Sequence, residues 1–100
     1  MKVVLTETAY DDLLRIGQDI QKDNPTRAAT FVTELYERCQ TLGLMPRAYP
    51  LLPDREQQGI RRRPYGDYLI FYRIEKETVQ VLHIVHGARD YEQILFPENK

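Results

Sequence analysis

Residues 59–87 read GIRRRPYGDYLIFYRIEKETVQVLHIVHG, and the period of this stretch decides the fold. Its β-branched and aromatic side chains come in short runs without helical spacing, which reads as strands. Leu69 and Phe71 on one parity stand against Ile70, Tyr72 and Ile74 on the other, all apolar. Strands that are apolar on both parities are interior strands with much of both faces covered. "EKET" at 75–78 is a compact hairpin connection, and "PYGD" at 64–67 is a turn between an arginine-bearing strand and the next.

Upstream, the period changes. "MKVVL" reads as an N-terminal strand closed by Thr6. Thr6 or Thr8 caps a helix with Glu7, Asp11 and Asp12 favourably placed in its first turns. Ala9, Leu13, Ile16 and Ile20 form its apolar stripe. Asn24 and Pro25 start a second helix, whose stripe is Ala28, Val32, Leu35, Cys39 and Leu42 and which ends near Leu44, with Gly43 and Pro46 as terminators. The short link between them implies an antiparallel helical hairpin. Residues 46–59 carry three prolines and a glycine and are expected to form an ordered loop at best. Both helical stripes need an apolar partner, and the sheet supplies it. The expected fold is therefore α+β: an N-terminal strand and an antiparallel helical hairpin packed on a small antiparallel β-sheet.

With 100 residues, a single domain spanning 1–100 and one two-layer core are expected. The formal net charge of −1 gives no global field for nucleic acid. The charge is uneven: residues 1–59 carry seven basic and nine acidic side chains, and residues 60–100 seven and six. The local excess is the run Arg61, Arg62, Arg63. A lone cysteine, Cys39, with apolar helical neighbours is expected to be a buried structural thiol in a reducing cytoplasm. No signal-like segment follows Met1 and no apolar run approaches membrane length, so neither a leader nor a membrane span is expected.

Metal binding is tested on His83 and His86, three residues apart. Strand alternation points them to opposite faces, and with one cysteine no metal or other cofactor is expected. Nucleophilic catalysis fails on inventory, since the chain has no serine and no cysteine beside a likely histidine, and no glycine-rich phosphate loop appears either. Phosphodiester cleavage has its residue types: Arg61, Arg62, Arg63, Arg73, His86, Arg89 and Tyr91. His86 would serve as the base and Arg89 or the triplet as the phosphate clamp. On residue types alone, the opposing reading is a solvated sheet rim or a docking surface for an acidic partner, with Arg89 and Asp90 as a local ion pair.

"IRRRPYGDYLIFYRIEKETVQVLHIVHGARDYEQIL" resembles the C-terminal half of the RelE/ParE toxins of bacterial toxin–antitoxin systems, and "LTETAYDDLLRIGQDI" resembles their first helix. The resemblance covers essentially the whole chain. RelE-like members cut mRNA on the ribosome, and Leu69, Ala88 and Glu92 stand where that branch would place working groups. "HGARD" is the wording of the ParE branch, which poisons DNA gyrase without known nucleolytic chemistry. The resemblance thus implies a toxin with no catalytic residues, or, on the RelE alternative, with His86, Arg89 and Tyr91 near the chemistry. A non-toxic relative that only binds antitoxin is the third alternative. It further implies a cognate antitoxin, a small DNA-binding dimer whose tail folds on the toxin and meets Arg61, Arg62, Arg63 and Arg73. Operon repression would run through the antitoxin, since this chain lacks the basic face for sequence-specific DNA binding.

Overall fold

The computed structural model describes residues 1–97. In chain order these form β1 (Lys2–Leu5), α1 (Glu7–Gln21), α2 (Pro25–Thr41), a 3₁₀ turn (Glu56–Gln58), β2 (Ile60–Tyr65), β3 (Tyr68–Glu75), β4 (Thr78–His86) and α3 (Tyr91–Leu95). The expected α+β architecture is present, with a helical hairpin packed on the sheet.

β2, β3 and β4 form the antiparallel meander that the period of two demands, turning at Gly66–Asp67 and at Lys76–Glu77. β1 joins the β4 edge in parallel, from Lys2 opposite Thr78 to Leu5 opposite Val81, so the sheet is mixed with the order β1-β4-β3-β2. The helical hairpin lies in the connection between β1 and the meander. The other edge is closed as well: Leu52 N–H donates to Ile60 O and Arg62 N–H to Pro50 O.

The Thr6 hydroxyl accepts from Ala9 N–H and so caps α1, while donating to Leu82 O on β4. Asn24 caps α2 by accepting from Arg27 N–H, with Pro25 at the first helical position. α2 ends at Thr41, a turn earlier than the stripe suggests. At Gly43 a β-carbon would lie 2.2 Å from Met1 O, and the N-terminal ammonium donates to Gly43 O at 2.8 Å. The close approach that terminates the helix therefore also seats the start of β1.

Two cores share the sheet. On the helix side, Ala9, Leu13, Ile16, Phe31, Leu35, Cys39 and Leu42 meet Leu5, Ile70, Tyr72, Val79, Val81 and Ile84. Phe31, absent from the expected stripe, is buried against Tyr65 and Tyr68, while Val32 is only half-buried in the seam between the helices. On the opposite face, Leu52, Ile60, Phe71, Val85 and Phe96 cluster beneath α3. The loop and the C-terminal segment thus cover the face that two helices leave wet. Asp90 caps α3 by accepting from Gln93 N–H, so it serves the backbone and not an ion pair with Arg89.

The strict alternation expected along β4 is corrected by a bulge. Phe71 pairs with His83 but Tyr72 pairs with Val81, so Leu82 is an extra residue. Val81 and Ile84, three apart, consequently both enter the helix-side core. The bulge precedes both histidines, so alternation still splits them: His83 pairs with Phe71 of the opposite face and His86 with Tyr68 of the helix side. His83 Nδ1 reaches Asp12 of α1 at 2.8 Å, and His86 packs edge-on against Tyr68, a neighbour of that same core.

Candidate functional site

The arginine triplet is divided by strand alternation. Arg61 and Arg63 pair with Tyr72 and Ile70 on the helix side, and Arg62 pairs with Phe71 on the other. Arg63 Nη1 donates to Arg38 O and to Thr41 Oγ1, both at 2.8 Å. A guanidinium on the last carbonyls of α2 is favourably placed against the helix dipole. Arg61 Nη1 donates to Tyr49 O at 2.6 Å, and Tyr72 Oη donates to Pro46 O at 2.7 Å. These side chains lash the segment after α2 to the sheet.

The lashed segment forms one wall of a cleft of about 240 Å³ lined by Arg38, Thr41, Leu44, Met45, Tyr49 and Arg63. Arg63 lies 5.0 Å over the Tyr49 ring and Arg38 5.0 Å over the Tyr65 ring. Leu44 is 82% exposed and Met45 63%. None of the ion pairs among the described residues involves Arg38, Arg47, Arg61 or Arg63. The nearby carboxylate of Glu34 is committed elsewhere. Arg27 grips it, Tyr65 Oη donates to it at 2.7 Å, and these bonds hold Glu34 below its ordinary pKa. This end of the molecule therefore presents cations and large apolar side chains together.

Arg63→Ala is expected to lower stability by about 1 kcal/mol, the usual worth of a capping hydrogen bond. Thermal unfolding with Arg63→Lys as the partial-rescue control measures it. An unchanged Tm would mean that water replaces the guanidinium at the helix end.

The remaining candidates lie apart. Arg62 Nη1 donates to Tyr91 Oη at 3.0 Å beneath the sheet, where Tyr91 stacks on Phe71. Arg73 sits beside Glu75 at 3.7 Å and Gln80 at 3.4 Å. His86 and Arg89 line a cleft of about 150 Å³ with Asp12, Arg15, Asp19 and Tyr68 on the α1 side. His86 Nδ1 accepts from Ala88 N–H, which leaves the proton of the neutral ring on Nε2. The structure brings His86 and Arg89 together and sets Tyr91 on the opposite face. Among the described residues no group of three His, Cys, Asp or Glu is placed to hold a metal ion. Cys39 is fully buried, and burial pushes its thiol up to about 12.

Arg38, Tyr49 and Met45 are not among the residues the sequence singles out; Leu44 enters there only as a helix end and the buried Asp12 only as a first-turn acid. Leu44 and Met45 did carry a signal: they are apolar residues directly after a helix-terminating glycine and belong to no stripe.

A helical hairpin on a strand meander, with a parallel N-terminal strand, is the architecture that the resemblance to the RelE/ParE toxins implies. Residues 3–91 match the family model described as the ParE toxin of type II toxin–antitoxin system, parDE, and the chain belongs to that family. A solved structure of the chromosomal ParDE system from P. aeruginosa matches with a TM-score of 0.74 and 20% identity, over 86% of this chain and 95% of that one. The RelBE2 toxin–antitoxin complex from Mycobacterium tuberculosis matches with a TM-score of 0.64 and 28% identity, over 88% and 92%. No curated protein sequence matches the chain. Among the described residues no helix is long and apolar enough to cross a membrane.

Proposed function

We propose that the chain arrests growth by poisoning DNA gyrase and is neutralised by a cognate antitoxin whose acidic tail lies on the arginine end. The observation that carries the docking site is the set of Arg38, Arg47, Arg61 and Arg63 without carboxylate partners among the described residues, beside the exposed Leu44 and Met45. A disordered segment that folds on binding gains most from a surface offering anchors for apolar side chains and cations for its acids. The similarity to structures of toxin–antitoxin systems supports a partner of that kind. Membership of the ParE family supports gyrase as the target, and the toxin would act in the cytoplasm.

Two assays separate this reading from mRNA cleavage. With gyrase and supercoiled plasmid, linear DNA should accumulate; with translating ribosomes and a defined mRNA, no codon-phased cuts should appear. The reverse pattern overturns the proposal in favour of the cleft that holds His86 and Arg89. His86→Ala should leave growth arrest largely intact, and loss of toxicity in the folded variant would point the same way. A chain that neither slows growth nor acts in either assay is an antitoxin-binding relative only. For docking, Arg63→Glu with Arg38→Glu should weaken antitoxin binding at least about tenfold at low salt, with a smaller effect as salt rises. Unchanged affinity would move the tail to another face.

A further inference from the structure

Three sulfur atoms occur in the chain, in Met1, Cys39 and Met45, and they differ in access. Cys39 is fully buried, and burial pushes its thiol up to about 12, so it offers an oxidant neither a thiolate nor a path. A thioether needs no ionisation to react, only contact with the oxidant. Met45 is 63% exposed and Met1 44%, which puts Met45 first.

Met45 is also held where its oxidation matters. Tyr72 donates to Pro46 O, and Arg61 to Arg47 O and Tyr49 O, so the backbone after Met45 is fixed while its side chain stands in solvent. That side chain lines the arginine cleft with Leu44, Tyr49, Arg38 and Arg63. Neither arginine has a carboxylate partner among the described residues. Arg63 commits Nη1 to Arg38 O and Thr41 Oγ1 and retains donors on Nη2 and Nε.

A methionine thioether is apolar and polarizable, and it adapts to irregular partner surfaces. A two-electron oxidant such as hydrogen peroxide changes that. The sulfur lone pair attacks one peroxide oxygen, the S–O bond forms and the O–O bond breaks. The proton on the transferred oxygen passes to the departing hydroxide, so sulfur is oxidised, peroxide is reduced and water leaves. The sulfoxide is polar, and its oxygen accepts charge-assisted hydrogen bonds from guanidinium groups.

We propose that Met45 is a site of reversible oxidation that shuts the arginine cleft to an acidic antitoxin tail. Oxidation removes an apolar anchor from the cleft and turns a strong acceptor toward the guanidinium groups that the tail's carboxylates use. Reduction of the sulfoxide restores the anchor. The effect on the partner rests on the docking reading above, whereas the order in which the sulfur atoms react stands on exposure alone.

The test treats the full chain with hydrogen peroxide, maps the sulfoxides by mass spectrometry and measures binding of a labelled leucine–glutamate peptide by fluorescence anisotropy. Met45 should gain oxygen ahead of Met1. The oxidised chain should bind the peptide at least about tenfold more weakly, and methionine sulfoxide reductase should restore the affinity. Met45→Leu should bind like the wild type and keep its affinity through the same treatment, and unchanged thermal melts verify folding. The proposal fails if Met1 reacts first, if sulfoxide at position 45 leaves affinity unchanged, or if Met45→Leu loses affinity on oxidation as the wild type does. Arg63→Glu with Arg38→Glu, run in parallel, separates the two readings. Weakened binding in that variant beside an unaffected oxidised chain sinks the oxidation proposal alone. No binding to the untreated chain, or no loss in either protein, sinks the docking reading with it.

Discussion

Asp12→Ala is expected to remove about 3 kcal/mol of folding stability and to lower Tm by roughly 15 °C, among the largest effects of any single exchange in this chain. β1 stops at Leu5, opposite Val81, and beyond it the β4 edge has no strand neighbour among the described residues. α1 closes that edge with side chains. Thr6 donates to Leu82 O, and Asp12, only 2% exposed, takes the Ile84 N–H at 2.9 Å and His83 Nδ1 at 2.8 Å through Oδ2. Arg15 donates to the other oxygen. Since an ionised carboxylate only accepts, the His83 proton sits on Nδ1. Alanine would leave a buried N–H without a partner and two cationic or polar groups facing each other across a gap.

Burial pushes the Asp12 carboxyl up, but the hydrogen bonds from His83, Ile84 and Arg15 outweigh it and hold the group below its ordinary value. A depressed carboxyl contributes stability that is present above the unfolded value of about 3.9 and is lost as pH falls through the lower folded value. The wild-type chain should therefore lose stability below about pH 4, and Asp12→Ala should flatten that part of the profile. Denaturant titrations at neutral and acidic pH measure both effects. Equal acid slopes in the two proteins, or a neutral-pH loss below about 1 kcal/mol, would show that water substitutes for the carboxylate.

The same residue shows where sequence reading stops. The hydrophobic periods suffice for the hairpin and the meander, because each depends on side chains three and four apart or two apart on one element. Thr6, Asn24 and Pro25 were legible as caps because capping is local. Asp12 was legible only as a first-turn acid, since its partners lie some 70 residues downstream on an edge that exists only once β1 has joined β4 in parallel. The bulge at Leu82 was likewise invisible. No residue type compels it, and it sets Val81 and Ile84, an odd number of residues apart, on the same face of the sheet. Arg61 and Arg63 were legible as a charge cluster, but their carbonyl acceptors come from the loop and α2, which local pattern does not place.

Tyr72→Ala should cost about 4 kcal/mol and Tyr72→Phe about 1 kcal/mol, and the difference between them separates packing from tethering. The ring is fully buried in the helix-side core between the strands that carry Arg61 and Val81. Its loss opens a cavity that neighbouring β-strand residues are too constrained to fill. Burial pushes the phenol up, so the hydroxyl remains a donor to Pro46 O. With Arg61 on Tyr49 O and Arg63 on Arg38 O, it completes three donors that hold residues 38–49 against the sheet. These are the residues that present Leu44 and Met45 beside the arginines. Tyr72→Phe should therefore lower Tm by only roughly 5 °C while raising amide exchange in residues 44–50, and it should weaken an acidic partner more than it weakens the fold. If phenylalanine costs as much as alanine, the hydroxyl and not the ring supports this core. If exchange in 44–50 is unchanged, the two arginines alone hold the cleft in shape.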